Sequence, residues 1–354
     1  MTAGRSTRLL AGALLAVLLL YFFFRGVDLD AIVAAFRTAD PRGLLAVAVI
    51  TVLTYAVRAW RWGALLAPLA RVPFGRLFSA TLVGFMTGLV IPRAGEVVRP
   101  YLVARRHALS ISAAFASIIV ERLVDLITVL GLFNLYLYGL PAPKAQLQAG
   151  LMPELKRAGA LTALLAFVVL GVLIVFHSHA DRALAVLDRV LVRLPARLAG
   201  PVREGLRAFS AGLGVLQAPW PHLVKIAGQS LFTWLAIALG IFVNNRAFGI
   251  DLPFHSSFLM LGFLTVGVAV PTPGMVGGFH VAYQLALTQA YGVDKGVAAA
   301  AGIACHALTN LPVLVLGLLF LTREGLTLGK VAEMAEDRAG LEETGGRGVP
   351  RVNP

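Results

Sequence analysis

Six charged residues stand where a strongly apolar chain has little ordinary use for them. Arg93, Glu96 and Arg99 follow one another at spacings of three, which puts them on one helical face. Glu121, Arg122 and Asp125 lie eleven to fifteen residues beyond Ser110, deep inside a long apolar stretch. An unpaired charge at that depth in hydrocarbon costs roughly 2.5 to 3.5 kcal/mol, so the six must pair with one another or face water. The expected pairs are Arg122 with Glu96 or Asp125, and Arg93 or Arg99 with Glu121. Two kinds of chemistry fit this set. An ion-pair lock would only fix packing, because buried pairs can serve specificity rather than stability. A cavity lined by the cations Arg93, Arg99 and Arg122 would bind a phosphate headgroup, with Glu96, Glu121 and Asp125 orienting the arginines. The two readings are compatible, and both stay open at this point.

Two helix breaks accompany these residues. Ile91-Pro-Arg-Ala-Gly-Glu96 interrupts the run from Leu77 to Arg99, with Pro92 and Gly95 as the breakers, and Val270-Pro-Thr-Pro-Gly274 interrupts the 42 charge-free residues from Leu252 to Val293. Unbroken, 42 residues would make a helix about 63 Å long, twice the hydrocarbon thickness. Each run must turn back, as a re-entrant hairpin or as two crossings. Helix N-termini beyond Pro92 and Pro271 attract anions. Gly274 and Gly277 allow close backbone approach, and backbone groups freed near Pro271 and Pro273 can take a ligand or solvent. His280, one to two turns further on, is either a buried hydrogen-bonding residue or a proton or headgroup contact. His306 and Asn310 are expected to make hydrogen bonds between helices, and Arg58, Arg61 and Trp62 to anchor a helix end at the membrane interface.

The elements that hold these residues follow from composition. Of 354 residues 58% are hydrophobic and only 14% charged, and mean hydropathy is +0.82, whereas soluble chains carry about a quarter charged residues. A water-soluble enzyme is excluded. Stretches free of Asp, Glu, Lys and Arg run from Leu9 to Phe24, Gly43 to Val57, Leu77 to Pro92 (with Arg93 and Glu96 just beyond), Leu126 to Pro143, Ala158 to Ala180, Ile226 to Asn245, Leu252 to Val293 and Gly296 to Thr322. They predict an all-α polytopic membrane protein with about six full spans plus the two broken hairpins. Tyr21-Phe-Phe-Phe-Arg25 offers no small-residue cleavage site, so the first stretch reads as a retained helix. The single Cys305 implies neither an intramolecular disulfide nor a metal cluster, and no cofactor motif is present.

The basic excess, 31 Lys and Arg against 18 Asp and Glu, suggests nucleic acid until it is placed along the chain. With both termini cytoplasmic, 20 of the 31 fall in cytoplasmic segments, in agreement with the positive-inside rule. The charge then faces the anionic cytoplasmic leaflet of the cell membrane, and nucleic-acid binding is unnecessary. Residues 1–321 read as a single transmembrane domain. Within it, residues 181–219 form an amphipathic cytoplasmic loop, and residues 322–354 a disordered cytoplasmic tail. Val72-Pro-Phe74 and Leu252-Pro-Phe254 open the two hairpins, and a long apolar helix follows each, giving repeats at about 72–140 and 252–321. An odd number of crossings between equivalent points inverts the second copy. Inverted repeats with broken helices are a transporter architecture, with the substrate near the midplane.

Four pieces together resemble the flippase-like membrane family related to the transmembrane domain of lysylphosphatidylglycerol synthase. They are Arg58-Ala-Trp-Arg-Trp62 (its fourth residue being Arg61), Gly88-Leu-Val-Ile-Pro-Arg-Ala-Gly-Glu-Val-Val-Arg99, Glu121-Arg-Leu-Val-Asp125 and Pro271-Thr-Pro-Gly-Met-Val-Gly277. The resemblance implies a lipid translocase fold moving anionic or aminoacylated phospholipids, or polyprenyl-linked glycolipids, between leaflets. Met275 departs from the family's second Gly, and His280 stands where a Glu is expected, so proton coupling through that position would follow the pH dependence of an imidazole. The soluble aminoacyl-transferase domain of the synthases is not present in this sequence, so lipid lysylation is not expected of it. No Walker-type loop is present, so transport would be downhill or ion-coupled. The rival expectations are an intramembrane phosphatase or transferase acting on a polyprenyl phosphate, and a non-transporting partner of a glycosyltransferase or lipid synthase. Expected partners are therefore a membrane lipid as substrate and either a lipid-modifying enzyme or a second copy of the chain.

Overall fold

The computed structural model describes residues 3–91, 94–107, 109–140, 151–179, 207, 209–323 and 329. Eleven α-helices run through them. They are α1 (Ala3–Phe24), α2 (Leu29–Thr38), α3 (Pro41–Leu66), α4 (Phe74–Val90), α5 (Ala94–Ala104), α6 (Ile111–Asn134), α7 (Leu151–Ser178), α8 (Trp220–Ala247), α9 (Ser256–Ala269), α10 (Gly278–Tyr291) and α11 (Lys295–Arg323). The protein is an all-α polytopic membrane protein. Most of the predicted tail 322–354 and most of the amphipathic loop 181–219 lie outside the described residues.

Local chemistry sets the helix starts. Asp40 precedes Pro41 and accepts hydrogen bonds from the amides of Arg42 and Gly43, capping α3. Ser110 does the same for α6 through the Ala113 amide, and Asp294 caps α11 through Gly296 and Val297. The helix of the first charge-free stretch bends by 82° into α2. By length and composition α3, α7, α8 and α11 can each cross a bilayer, and the bent α1–α2 pair makes a fifth candidate. At 24 residues α6 is about 36 Å long, enough to cross, but it carries Glu121, Arg122 and Asp125. The large apolar side chains of α1 and α7, such as Leu14, Val17, Leu161 and Phe167, are exposed, as a lipid-facing surface requires.

Both broken stretches fold into helical hairpins, α4 with α5 and α9 with α10. With 17 residues α4 reaches about 25 Å, and α9, with 14, about 21 Å, each short of the hydrocarbon thickness. The two arms of each hairpin touch through glycine. A methyl group on Gly95 would collide with the Gly84 carbonyl, and one on Gly278 with that of Gly267. The two contacts are 183 positions apart, from Gly84 to Gly267 and from Gly95 to Gly278. Packing between the halves is reciprocal: α3 lies along α8, α4 packs on α11, and α9 packs on α6. Two apolar cores result, one around Leu82, Met86, Val98 and Leu102, the other around Leu259, Met260, Ala286 and Leu287.

Candidate functional site

Three helices bring a charged cluster together at about 15 Å, roughly half the hydrocarbon thickness, from the start of α6. Arg61 of α3 is fully buried and uses both terminal nitrogens: 2.5 and 3.1 Å to Asp125, 3.1 Å to Glu121 and 2.8 Å to the Ser230 hydroxyl of α8. Arg99 of α5 reaches the other side of the Glu121 carboxylate at 2.9 and 3.0 Å. Asp125 also accepts the Trp234 indole N–H at 2.8 Å and lies 3.6 Å from Arg58. Glu121 and Asp125 therefore join the first hairpin to α3, α6 and α8. Charge-assisted contacts of this kind are the strong ones, although Glu121 Oε2 meets Arg99 as an ion pair without a well-aligned hydrogen bond.

Aromatic rings complete the cluster. The Arg99 guanidinium lies 4.0 Å from the centre of the Trp62 ring, and Trp62 donates its N–H to Ser117 at 3.0 Å. Arg58 lies between Phe85, at 5.4 Å, and Trp234, at 5.6 Å. At the rim Arg122 stands 3.8 Å from both Glu96 and Asp125, and the Arg122 and Glu96 side chains are 41% and 47% exposed.

The charges do not cancel. Arg58, Arg61 and Arg99 are buried against only Glu121 and Asp125, and adding the rim pair Arg122 and Glu96 leaves one positive charge over among the described residues. Buried nitrogens without a hydrogen-bond acceptor mark the same surplus: Nη1 of Arg58, Nε of Arg61, and Nε and Nη2 of Arg99. Native proteins rarely leave so many buried donors unmet. A phosphate oxygen is the kind of acceptor that guanidinium groups pair with in bidentate geometry.

The expected pairs Arg99–Glu121 and Arg122–Glu96 or Asp125 are thus drawn together in space, while Pro92 and Arg93 lie outside the described residues. One expectation is corrected. Arg58, Arg61 and Trp62 do not anchor a helix end at the interface; all three are buried, because α3 continues to Leu66 and turns this face onto α5, α6 and α8. The spacing Arg58, Arg61, Trp62 was the available signal, since it makes a polar face on an otherwise apolar helix. Ser230 and Trp234 carried no comparable signal.

The second break is built differently. Gly274, Met275 and Gly277 all have positive φ, of 62°, 58° and 86°. His306 of α11 donates from Nε2 to the Gly274 carbonyl at 2.8 Å, and Asn310 donates back to the His306 carbonyl within its own helix. The expected bond between helices is therefore made by His306, to the break, and not by Asn310. His280 is buried, accepts the Gly277 amide on Nδ1 at 3.3 Å, and packs 4.5 Å from His306 and 5.3 Å from Phe23. Pro271 and Pro273 border α1, where a methyl on Gly12 would stand 3.4 Å from the Pro271 carbonyl and 3.6 Å from the Pro273 ring. A methyl on Gly274 would stand 3.9 Å from the Leu89 carbonyl, so the second break abuts the end of α4 beside the first. Among the described residues no group of three or more His, Cys, Asp or Glu side chains is placed to hold a metal ion.

This combination of a charged hairpin, a second glycine-rich break and a buried α6 network coincides with a family match. A model of the lysylphosphatidylglycerol synthase transmembrane region matches residues 9–317. The chain belongs to that family. Among curated proteins it is 28% identical over 346 residues to the glycosyltransferase AglD of Haloferax volcanii, an alignment covering 88% of this chain and 54% of AglD. The chain thus spans about half the length of that relative. It is also 25% identical over 287 residues to a UPF0104 membrane protein of Methanothermobacter thermautotrophicus, covering 76% of this chain and 81% of that protein. The family match includes α1 through most of α11, and with them every described member of the arginine cluster.

Proposed function

We propose that this family member moves an anionic lipid headgroup between membrane leaflets, by way of the arginine cluster between the first hairpin, α3, α6 and α8. One observation carries the reading: a buried cluster, about 15 Å along α6, with an uncompensated positive charge and unmet guanidinium donors on Arg58, Arg61 and Arg99. A single surplus charge suits a phosphodiester, which carries one negative charge. Arg99, Arg122 and Arg93 contact the phosphate in this reading, Arg58 joins them, and Glu121, Asp125 and Glu96 orient the guanidiniums. The cost of bringing a phosphate to that depth is offset because the cluster has already been assembled and desolvated by folding.

The rest of the proposed architecture follows from the two hairpins. Their shortness supports re-entrant loops, and the 183-residue recurrence of the glycine contacts supports an inverted repeat whose breaks meet near the midplane. Localisation in the cell membrane with cytoplasmic termini rests on the positive-inside count, in which 17 of the 31 Lys and Arg stay on the cytoplasmic side once Arg58, Arg61 and Arg99 are assigned to the buried cluster. The test is a fluorescent phosphatidylglycerol in proteoliposomes. Faster exchange between leaflets than in protein-free vesicles, lost in an Arg58→Gln, Arg99→Gln double variant, is the expected result. Equal rates for wild type and variant would remove the site from the mechanism.

The glycosyltransferase name of the AglD relative favours a second reading, in which the lipid is polyprenyl-linked or the chain serves as membrane partner to a glycosyltransferase. A co-purifying transferase together with null leaflet exchange would support the partner form.

A further inference from the structure

Phe85 of α4 stands among three cations contributed by three other helices. Its ring centre is 5.4 Å from the guanidinium carbon of Arg58 on α3, 5.8 Å from that of Arg99 on α5, and 5.5 Å from that of Arg122 on α6. The Tyr55 ring packs edge-on against it at 5.0 Å. The ring itself is only partly buried, whereas Arg58 and Arg99 are buried and hold unmet donors. The negative face of an aromatic ring attracts a cation within about 6 Å, and most strongly when both are desolvated. It is nevertheless a weak acceptor beside a phosphate oxygen.

We propose that Phe85 is a placeholder for the anion: its ring partly compensates the surplus positive charge in the unliganded protein and is displaced when a phosphate binds. The proposal rests on the reading of the arginine cluster as a headgroup site, and deepens it by assigning the residue that sets how strongly that site prefers anionic lipid. An anionic headgroup must break the ring's contacts with Arg58, Arg99 and Arg122 before phosphate oxygens can take their place. A zwitterionic headgroup that brings no net charge to the cluster leaves the ring in place and escapes that cost, so the ring holds the preference for anionic lipid below what the bare arginines would show. Partial burial gives the ring a direction in which to leave. Trp62 and Trp234 keep hold of Arg99 and Arg58 from other sides, so those two guanidiniums stay positioned when Phe85 moves.

The experiment uses the full-length chain, purified in detergent and offered equal amounts of phosphatidylglycerol and phosphatidylcholine. Retained lipid is counted by native mass spectrometry. Phe85→Leu and Phe85→Met fill similar space without a ring, and each should raise the ratio of bound phosphatidylglycerol to phosphatidylcholine on the order of fivefold. Phe85→Tyr should match wild type, as should Phe78→Leu, because Phe78 packs against Phe74 and Phe320 rather than over Arg58, Arg99 or Arg122. An unchanged or lowered ratio in a folded Phe85→Leu or Phe85→Met protein overturns the placeholder role. An Arg58→Gln, Arg99→Gln variant separates the two levels: if it keeps the wild-type preference for phosphatidylglycerol, the headgroup site itself fails. If only the Phe85 variants fail to respond, the site stands without its placeholder.

Discussion

The guanidinium carbon of Arg99 stands 4.0 Å from the centre of the Trp62 ring, while its Nη1 holds Glu121 at 2.9 Å. One arginine of the first hairpin is thereby fixed by an indole from α3 and a carboxylate from α6. The contact explains why a large aromatic residue is fully buried next to a charge. The ring supplies both apolar packing and a negative face, and its N–H is taken by Ser117.

Trp62→Leu should therefore do more than leave a cavity. We expect a loss of about 3 kcal/mol or more from the missing bulk, with Arg99 released to sample other positions. Thermal unfolding of the purified protein checks the first effect, and a fall in lipid exchange in proteoliposomes checks the second. A stable variant with wild-type exchange would mean that Trp62 does not position Arg99.

Arg99→Lys keeps the charge and discards both the planar fork and much of the stacking. Exchange of anionic lipid should drop roughly tenfold, the equivalent of about 1.4 kcal/mol, with a much smaller change in melting temperature. If charge alone mattered, the lysine protein would transport as well as wild type.

Asp125→Asn leaves Arg61 and Arg58 short of a carboxylate in a buried setting. Breaking a buried pair by removing one partner typically costs about 3 to 5 kcal/mol. The protein should lose stability in detergent by that order. The exposed pair Arg157 and Glu154, 3.0 Å apart, provides the contrast: Glu154→Gln should change stability by less than about 1 kcal/mol.

Met275 is the one residue other than glycine with positive φ among the described residues, at 58°. Left-handed backbone costs an ordinary side chain about 1 kcal/mol. Met275→Gly should raise the melting temperature in spite of glycine's greater freedom in the unfolded chain, unless the thioether packing against the second core outweighs the relief. A lower melting temperature would show that packing governs this position.

Gly95→Ala and Gly278→Ala place a methyl against the carbonyl of Gly84 or Gly267. Backbone cannot yield there without separating the hairpin arms. Each variant should lower expression and thermal stability markedly, whereas Gly171→Ala, with open space around it, should leave both unchanged.

Much of this architecture was legible in the residues. Charge-free runs located the long helices, because a charge in hydrocarbon is too costly to be accidental, and Pro92 and Pro271 located the breaks, because proline removes a helical donor. Arg99, Glu121, Arg122 and Asp125 were conspicuous for the same reason. The role of Arg58 and Arg61 was misread from their place at the edge of an apolar run. An arginine at a helix end snorkels to water unless carboxylate partners offset the cost of turning inward, and here Glu121 and Asp125 do so for Arg58 and Arg61.

The sequence by itself determined the solvent of this protein, the positions of its helices and breaks, and the fact that several charges must find partners inside it. Those are consequences of the cost of each residue in lipid, counted along the chain. Only the tertiary structure decided which partners they found. Arg61 meets Asp125 across 64 positions and Ser230 across 169, and Phe85 gathers three guanidiniums from three helices. Such distances along the chain leave no local spacing to read; they exist because helix packing brings these side chains together in one low-dielectric place, where each unmet charge must be answered by whatever stands nearest.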